Sequence, residues 1–367
     1  MKKHKKVFVF IVILILILCI SLISYNLIIK SQNSVLNIEK GPETIYKRFP
    51  GECLQLDNGN AVIVGSLGYK DQHKAELFKI NEKKFVQLPD TIFPHKGQTY
   101  LFQKRNQVLV LDDNPVEIFD INKNIFYKTN YCITDVCNVK DTQKNPMTSF
   151  KAYDYSDNQF LIHSYYSPAK LYFWDYHNGK KQTLPEFNIN RMGYSILLLP
   201  NKKIMILGGF ISKKSDFIEQ TEIYNPDTNK FSLGPKIHLD SPLKKVDTYN
   251  AAFQTENFIY SFDDNTNNFV KKEVAYDDDL YSRIQLDKKF DLLVYKDIFK
   301  GFYIKLFDNE LNKDIATKKL LYSPVSRPIM YLKLSKNSIL ILQNEQNNYL
   351  DSLRPTQNTQ IISVWEN

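Results

Sequence analysis

The chain has 367 residues, 43% hydrophobic and 13% aromatic, enough to bury one large repeat domain or two ordinary ones. Tyr and Phe are abundant (23 and 24) and Trp is scarce (2), a composition that favours strands over helices. The net charge is +8, but the excess is concentrated in Lys2, Lys3, Lys5 and Lys6, and no basic stripe with interleaved aromatics follows, which argues against nucleic acid as a partner.

Residues 1–6 form a basic tail. Residues 7–29 are almost unbroken Val, Ile, Leu and Phe. A helix of this length crosses a hydrocarbon core about 30 Å thick. Lysines before the run, against a single Lys30 just after it, place the N-terminus in the cytoplasm and the rest of the chain outside. A cleaved signal peptide is the competing reading, but the run is long and has no Ala-x-Ala-like site. Leu18 before Cys19 argues against lipidation. Residues 30–43 read as a polar linker and residues 44–367 as the folded domain.

That domain repeats itself. A polar turn residue leads a short apolar strand six times: Asn60 before AVIVG, Asn106 before QVLVL, Asn158 before QFLIH, Asn201 before KKIMILGG, Lys289 before FDLLVY and Asn337 before SILIL. The spacing averages about 46 residues once one degenerate unit is allowed, within the range of propeller blades. A second feature runs in phase with the first. Two aromatics flank six residues rich in Asn, Asp and Lys, as in Phe78–Phe85, Phe119–Phe126, Tyr224–Phe231 and Phe262–Phe269. This is the chemistry of a hairpin, with tight-turn residues at the tip and aromatics pairing across the strands. Each unit therefore holds about four short strands, and stacking such sheets face to face around an axis buries their apolar faces. The predicted fold is an all-β propeller of seven blades, or six if the weak region 246–320 is one irregular blade. The last unit lacks a fourth strand, and residues 44–49 are expected to supply it and close the ring. A β-sandwich or two smaller β domains is the competing architecture.

The unit 191–231 is the best preserved. Gly208-Gly209 after an apolar strand, then Tyr224, then Phe231 seven positions on, resembles a Kelch repeat, as does the segment Arg191-Met192-Gly193-Tyr194-Ser195. Gly65 is a partial remnant of the glycine pair in unit 1. The resemblance implies a Kelch-type propeller. It also brings into view sugar-active enzymes of that fold, galactose-oxidase-like or mutarotase-like.

Candidate site residues are few. A basic residue precedes the first strand of most units: Arg48, Lys96, Arg191, Lys245, Arg283 and Arg327. At a channel mouth these would make a cationic ring for a carboxylate or phosphate. The competing role is structural, bonding backbone carbonyls at blade junctions. Cys132 and Cys137 suit a short disulfide outside the cytoplasm. No spacing of His, Cys or acidic residues identifies a metal, and no motif identifies a cofactor. Asp277-Asp278-Asp279 lacks the alternating spacing of a calcium loop. The function expected is a membrane-anchored, extracytoplasmic, non-catalytic module that binds a protein or glycan through its variable loops. A carbohydrate-active propeller enzyme is the alternative.

Overall fold

The computed structural model describes residues 35–46, 52–65, 72–95, 99–133, 150–164, 170–211, 217–239, 243, 245–255, 258–273, 280–297, 301–321, 331–342 and 358–365. They form 28 strands in seven four-stranded antiparallel sheets, the blades of a seven-bladed β-propeller. β1 (Leu36–Lys40) comes first. Blade 1 is β2–β5 (Glu52–Gln55, Ala61–Val64, Ala75–Lys79, Lys84–Gln87), and blade 2 is β6–β9 (Tyr100–Lys104, Gln107–Leu111, Glu117–Asp120, Ile125–Lys128). Blade 3 is β10–β13 (Phe150–Asp154, Gln159–Ser164, Lys170–Asp175, Lys181–Thr183), and blade 4 is β14–β17 (Ser195–Leu198, Ile204–Leu207, Gln220–Asn225, Lys230–Lys236). Blade 5 is β18–β21 (Lys245–Asp247, Ala252–Gln254, Phe258–Asp263, Asn268–Glu273), and blade 6 is β22–β25 (Leu280–Gln285, Phe290–Asp297, Gly301–Asp308, Lys313–Lys319). Blade 7 takes β26–β28 (Tyr331–Ser335, Ser338–Leu342, Thr359–Val364) and completes itself with β1. Region 246–320 therefore holds two blades.

The turns explain the Asn-rich tips. The residue just before the fourth strand has a positive φ in five blades: Lys83 (48°), Asn124 (55°), Asn229 (51°), Asn267 (49°) and Asn312 (50°). Asn tolerates this left-handed conformation better than other residues with a side chain. The same turns begin with an acceptor that bonds the N–H two residues on, as Asp120 does for Asn122 and Asn225 for Asp227. The flanking aromatics are register partners. Phe78 faces Phe85 with ring centroids 4.9 Å apart, and Tyr224 faces Phe231 at 5.3 Å.

The described chain falls into two compact units, one drawn from residues 1–97, 123–126 and 279–367, the other from 98–122 and 127–278. In the first, blades 6, 7 and 1 pack sheet on sheet. Ile339 and Ile341 of β27 join Leu292, Val294 and Ile304 of blade 6 in one core, while Leu340 and Leu342 join Ala61, Ile63 and Phe78 of blade 1 in another. In the second unit β15 does the same. Ile204 and Ile206 pack toward Leu161 and Phe173 of blade 3, and Met205 and Leu207 toward Phe253 and Tyr260 of blade 5. Both faces of these second strands are buried, so they read as unbroken apolar runs instead of alternating.

The closing strand is not the one expected. β1 pairs antiparallel with β28, Leu36 opposite Val364 and Lys40 opposite Gln360, so the fourth strand of blade 7 comes from within the segment read as linker. Leu36 is fully buried in the core between blades 6 and 7. Thr44 to Tyr46 is instead a bend. Thr44 Oγ1 donates to the Tyr46 carbonyl (3.0 Å), and the Ile45 N–H donates to Glu76 Oε2 (2.8 Å). A backbone held by side chains in this way has no free ladder to offer a sheet. Residues 47–49 lie outside the described residues.

No helix among the described residues is long and apolar enough to cross a membrane. The candidate span 7–29 lies outside them.

Candidate functional site

Each sheet has two unlike ends. The turns from first to second strand, and in blades 1 to 6 those from third to fourth, are short and close one end. The second-to-third connections and the segments approaching each first strand occupy the other, the loop-bearing end. In blade 4 that end is built upon a buried ion pair. Arg191 Nη2 donates to Glu222 Oε1 at 2.8 Å, and neither side chain has any exposure. Arg191 Nη1 also donates to the carbonyls of Gly208 (2.9 Å) and Gln220 (3.0 Å). Glu222 accepts from the backbone of Asn188 (2.6 Å) and Ile189 (3.1 Å), and from the Asn188 side chain (2.9 Å). The pair thus joins three stretches of chain: the approach to β14, the end of β15 and the start of β16. Burial pulls the Arg191 pKa down and Glu222 opposes that shift.

The glycines beside it are structural in a specific way. Gly208 (φ 68°) and Gly209 (φ 89°) both lie in the left-handed region. A Cβ on Gly208 would sit 2.1 Å from the Phe217 ring, and one on Gly209 would sit 2.8 Å from the Met192 carbonyl. Gly65 occupies the same place after β3 (φ 70°), with His95 backbone against it, as the partial repeat suggested.

On this base stands an apolar apex. Met192 and Phe210 form a two-residue β-bridge with both N–H to carbonyl distances at 2.9 Å. The Ile218 N–H closes the loop base on the Gly209 carbonyl (2.9 Å), and the Phe210 and Phe217 rings meet edge-on at 5.9 Å. Met192, Phe210 and Ile211 are 49%, 39% and 62% exposed. Large apolar side chains held outward by a rigid base are the make-up of a contact surface. Beside it, His163 at the end of β11 stacks on Tyr194 (4.5 Å, 20°), and Phe187 packs edge-on against Tyr194 (5.0 Å). Burial, with Lys151 nearby, pushes the His163 pKa down to about 4, so the ring is neutral near pH 7.

The six basic candidates fare differently. Arg191 is the scaffold group just described and has no surface to offer a ligand. Arg283 lies inside β22 and reaches the tight-turn end, where it pairs with Asp291 and donates to Asn309 Oδ1 (2.9 Å). Lys245 is the first residue of β18. Its side chain lies outside the described residues, as do Arg48, Lys96 and Arg327. The two candidates with described side chains therefore serve as ties within blades. Cys132 is disulfide-bonded and Cys53 is in no disulfide; Cys137 lies outside the described residues, as does Asp277 to Asp279. Among the described residues no three His, Cys, Asp or Glu side chains are grouped to hold a metal.

Sequence reasoning missed the buried glutamates. Glu76, Glu117 and Glu222 are fully buried, each near the start of a third strand. The signal was present: Ala75-Glu76-Leu77-Phe78, Val116-Glu117-Ile118-Phe119 and Thr221-Glu222-Ile223-Tyr224 repeat one pattern. Glu76 holds Ile45 in the approach to β2 much as Glu222 holds Ile189 in the approach to β14. Glu52, at the loop-bearing start of β2, also escaped notice. Burial raises its pKa to about 7.

No family model matches the chain, and no curated protein matches its sequence.

Proposed function

We propose that this protein is a membrane-anchored, extracytoplasmic, Kelch-like propeller that binds a protein partner without catalysis. The observation that carries the reading is the apex of Met192, Phe210 and Ile211, exposed yet held on a fully buried Arg191–Glu222 pair. A rigid apolar apex suits a protein surface better than a glycan, which calls for polar groups and stacked rings open to solvent. The Kelch character rests on Gly208, Gly209, Tyr224 and Phe231. Their roles as left-handed turn and cross-strand pair are those a Kelch repeat needs. The membrane anchor rests on the apolar run 7–29 and the lysines before it. A disulfide at Cys132 is in keeping with an oxidising compartment, and Cys137 is its proposed partner.

The alternative, a carbohydrate-active enzyme, draws on Glu52. A carboxyl with a pKa of about 7 suits a general acid. A photo-crosslinking residue at Ile211, in the full chain on intact cells, separates the readings. We expect discrete protein adducts from position 211 and none from the same residue at Leu233, an exposed site on the fourth strand of blade 4. Equal labelling from both positions would remove the apex from the account. Sugar turnover that disappears in Glu52→Gln would favour the enzyme.

A further inference from the structure

The path of β1 determines which end of blade 7 the proposed anchor enters. Leu36 pairs with Val364 and Lys40 with Gln360, so β1 starts where β28 finishes. β27 and β26 are joined there too, by the short turn from Ser335 to Ser338. The residues before Leu36 therefore leave blade 7 at its tight-turn end. The C-terminal end of β28 arrives at the same place, where the Trp365 N–H donates to the Val35 carbonyl at 2.9 Å.

Two large apolar side chains are exposed at this end of the unit formed by blades 6, 7 and 1. Trp365 is 59% exposed, immediately after β28. Leu311 is 61% exposed, at the tip of the turn from β24 to β25. The backbone beneath Leu311 is firmly set, with the Glu310 and Leu311 N–H groups both donating to Asp308 Oδ1 (2.8 and 2.9 Å). The side chain thus stands outward on a fixed turn.

We infer that the tight-turn end of blades 6, 7 and 1 rests on the membrane surface, with Trp365 and Leu311 at the lipid headgroup level. This inference rests on the anchor reading above. Residues 30–35 separate the apolar run from β1, a reach of about 20 Å at most even when fully extended. That reach keeps blade 7 beside the bilayer but does not by itself set which end faces it. The point where the chain leaves blade 7 does, with Trp365 directly beside it; Ile45, Ile92, Leu321 and Tyr331 are exposed toward the other end but lie away from that exit. An indole has an apolar body and a polar N–H, the combination favoured at membrane–water interfaces. The loop-bearing end of these blades, where Ile45 and Glu52 lie, then faces away from the lipid by at least one strand length, roughly 17 Å.

Tryptophan fluorescence tests this directly, because the chain has two tryptophans and Trp174 is fully buried. The full chain is reconstituted in phosphatidylcholine vesicles with nitroxide-labelled headgroups. The Trp365 signal is the difference between wild type and Trp365→Phe. We expect that difference emission to fall about two-fold or more with the labelled lipid. Ile45→Trp in the Trp365→Phe background, a reporter at the loop-bearing end, should lose none. Leu311→Trp in the same background supplies a second reporter on the membrane side and should be quenched like Trp365. Vesicle flotation separates the two layers of the claim. A chain that does not float overturns the anchor and the orientation together. A chain that floats with Trp365 and Leu311→Trp unquenched, or with Ile45→Trp quenched instead, overturns the orientation and leaves the anchor standing.

Discussion

Arg191 and Glu222 meet at 2.8 Å with no exposure on either side chain, 31 residues apart in sequence and on neighbouring stretches of blade 4. Breaking such a pair from one side leaves an uncompensated buried charge, which costs about 3–5 kcal/mol. Arg191→Met and Glu222→Met should each lower stability by that amount in denaturant unfolding. The double variant should recover much of the loss, because two apolar chains of similar length fill the space without a charge. Crosslinking from Ile211 should weaken in both single variants, since Gly208, Gln220, Asn188 and Ile189 lose their common tie.

Gly208 and Gly193 offer a controlled comparison. Their φ values are nearly equal (68° and 67°), but an added Cβ meets the Phe217 ring at 2.1 Å in one and nothing nearer than 3.9 Å in the other. Gly193→Ala should cost only the left-handed term, about 1–2 kcal/mol. Gly208→Ala should cost more, by roughly another 1 kcal/mol, because the ring must leave its place against Phe210. In a Phe217→Ala background the two substitutions should become equal. Thermal melts of the four variants check this, and equal costs without Phe217→Ala would mean that the ring yields freely.

The strand that closes blade 7 makes a third prediction. Leu36 is fully buried among Ile284, Leu292, Ile339 and Ile362. Leu36→Ala should cost about 2–5 kcal/mol. Removing residues 1–40 should cost more, since β28 would lose one of its two ladder partners and become an edge strand. Differential scanning fluorimetry on the variants decides it, and a truncation with unchanged melting would mean that β1 contributes nothing to the blade.

What was legible in the sequence follows from local physics. Asn124, Asn229, Asn267 and Asn312 mark turns because the left-handed conformation selects them, and Phe78, Tyr224 and Phe262 mark third strands because each has an aromatic partner directly across. The strand β1 was not legible. An outer strand buries one face only, so Leu36-Asn37-Ile38-Glu39-Lys40 shows two apolar residues where a central strand shows four. Thr44-Ile45-Tyr46 has better strand propensity, yet Glu76 on another strand claims its backbone. The role of Arg191 as a tie was already one of its two readings, but its partner was hidden. Alternation puts Glu222 on the face of buried Tyr224, where a carboxylate has no evident reason to be, and only the fold places it opposite a guanidinium.

His163 gives a pH dependence. Its pKa falls to about 4 on folding, from an ordinary value of 6.5, because burial disfavours the charged ring and Lys151 adds to the effect. Between those values the unfolded chain binds a proton that the folded chain does not. The stabilisation is therefore complete above about pH 6.5 and is lost as pH falls toward 4. The full effect is up to about 3 kcal/mol. His163→Phe keeps a ring stacked on Tyr194 and removes the proton. Its urea midpoint should vary less than that of wild type across this window.

Glu52 acts in the opposite sense. Burial raises its pKa from 4.5 to about 7, so between those values the folded chain holds a proton that the unfolded chain releases. Stability should therefore fall as pH rises from 4.5 to 7, by about 1–2 kcal/mol once the partial solvent access of this side chain is allowed for. Glu52→Gln carries no such proton and should be more stable than wild type at pH 8 and equal to it at pH 4.5. The His163 and Glu52 windows overlap between 4.5 and 6.5 with opposite slopes, so wild type alone would show a flattened profile. Measured in the His163→Phe background, the Glu52 slope should stand clear. If Glu52→Gln changes nothing there, the carboxyl at the head of β2 is ionised throughout, and the general acid on which the enzyme alternative draws goes with it.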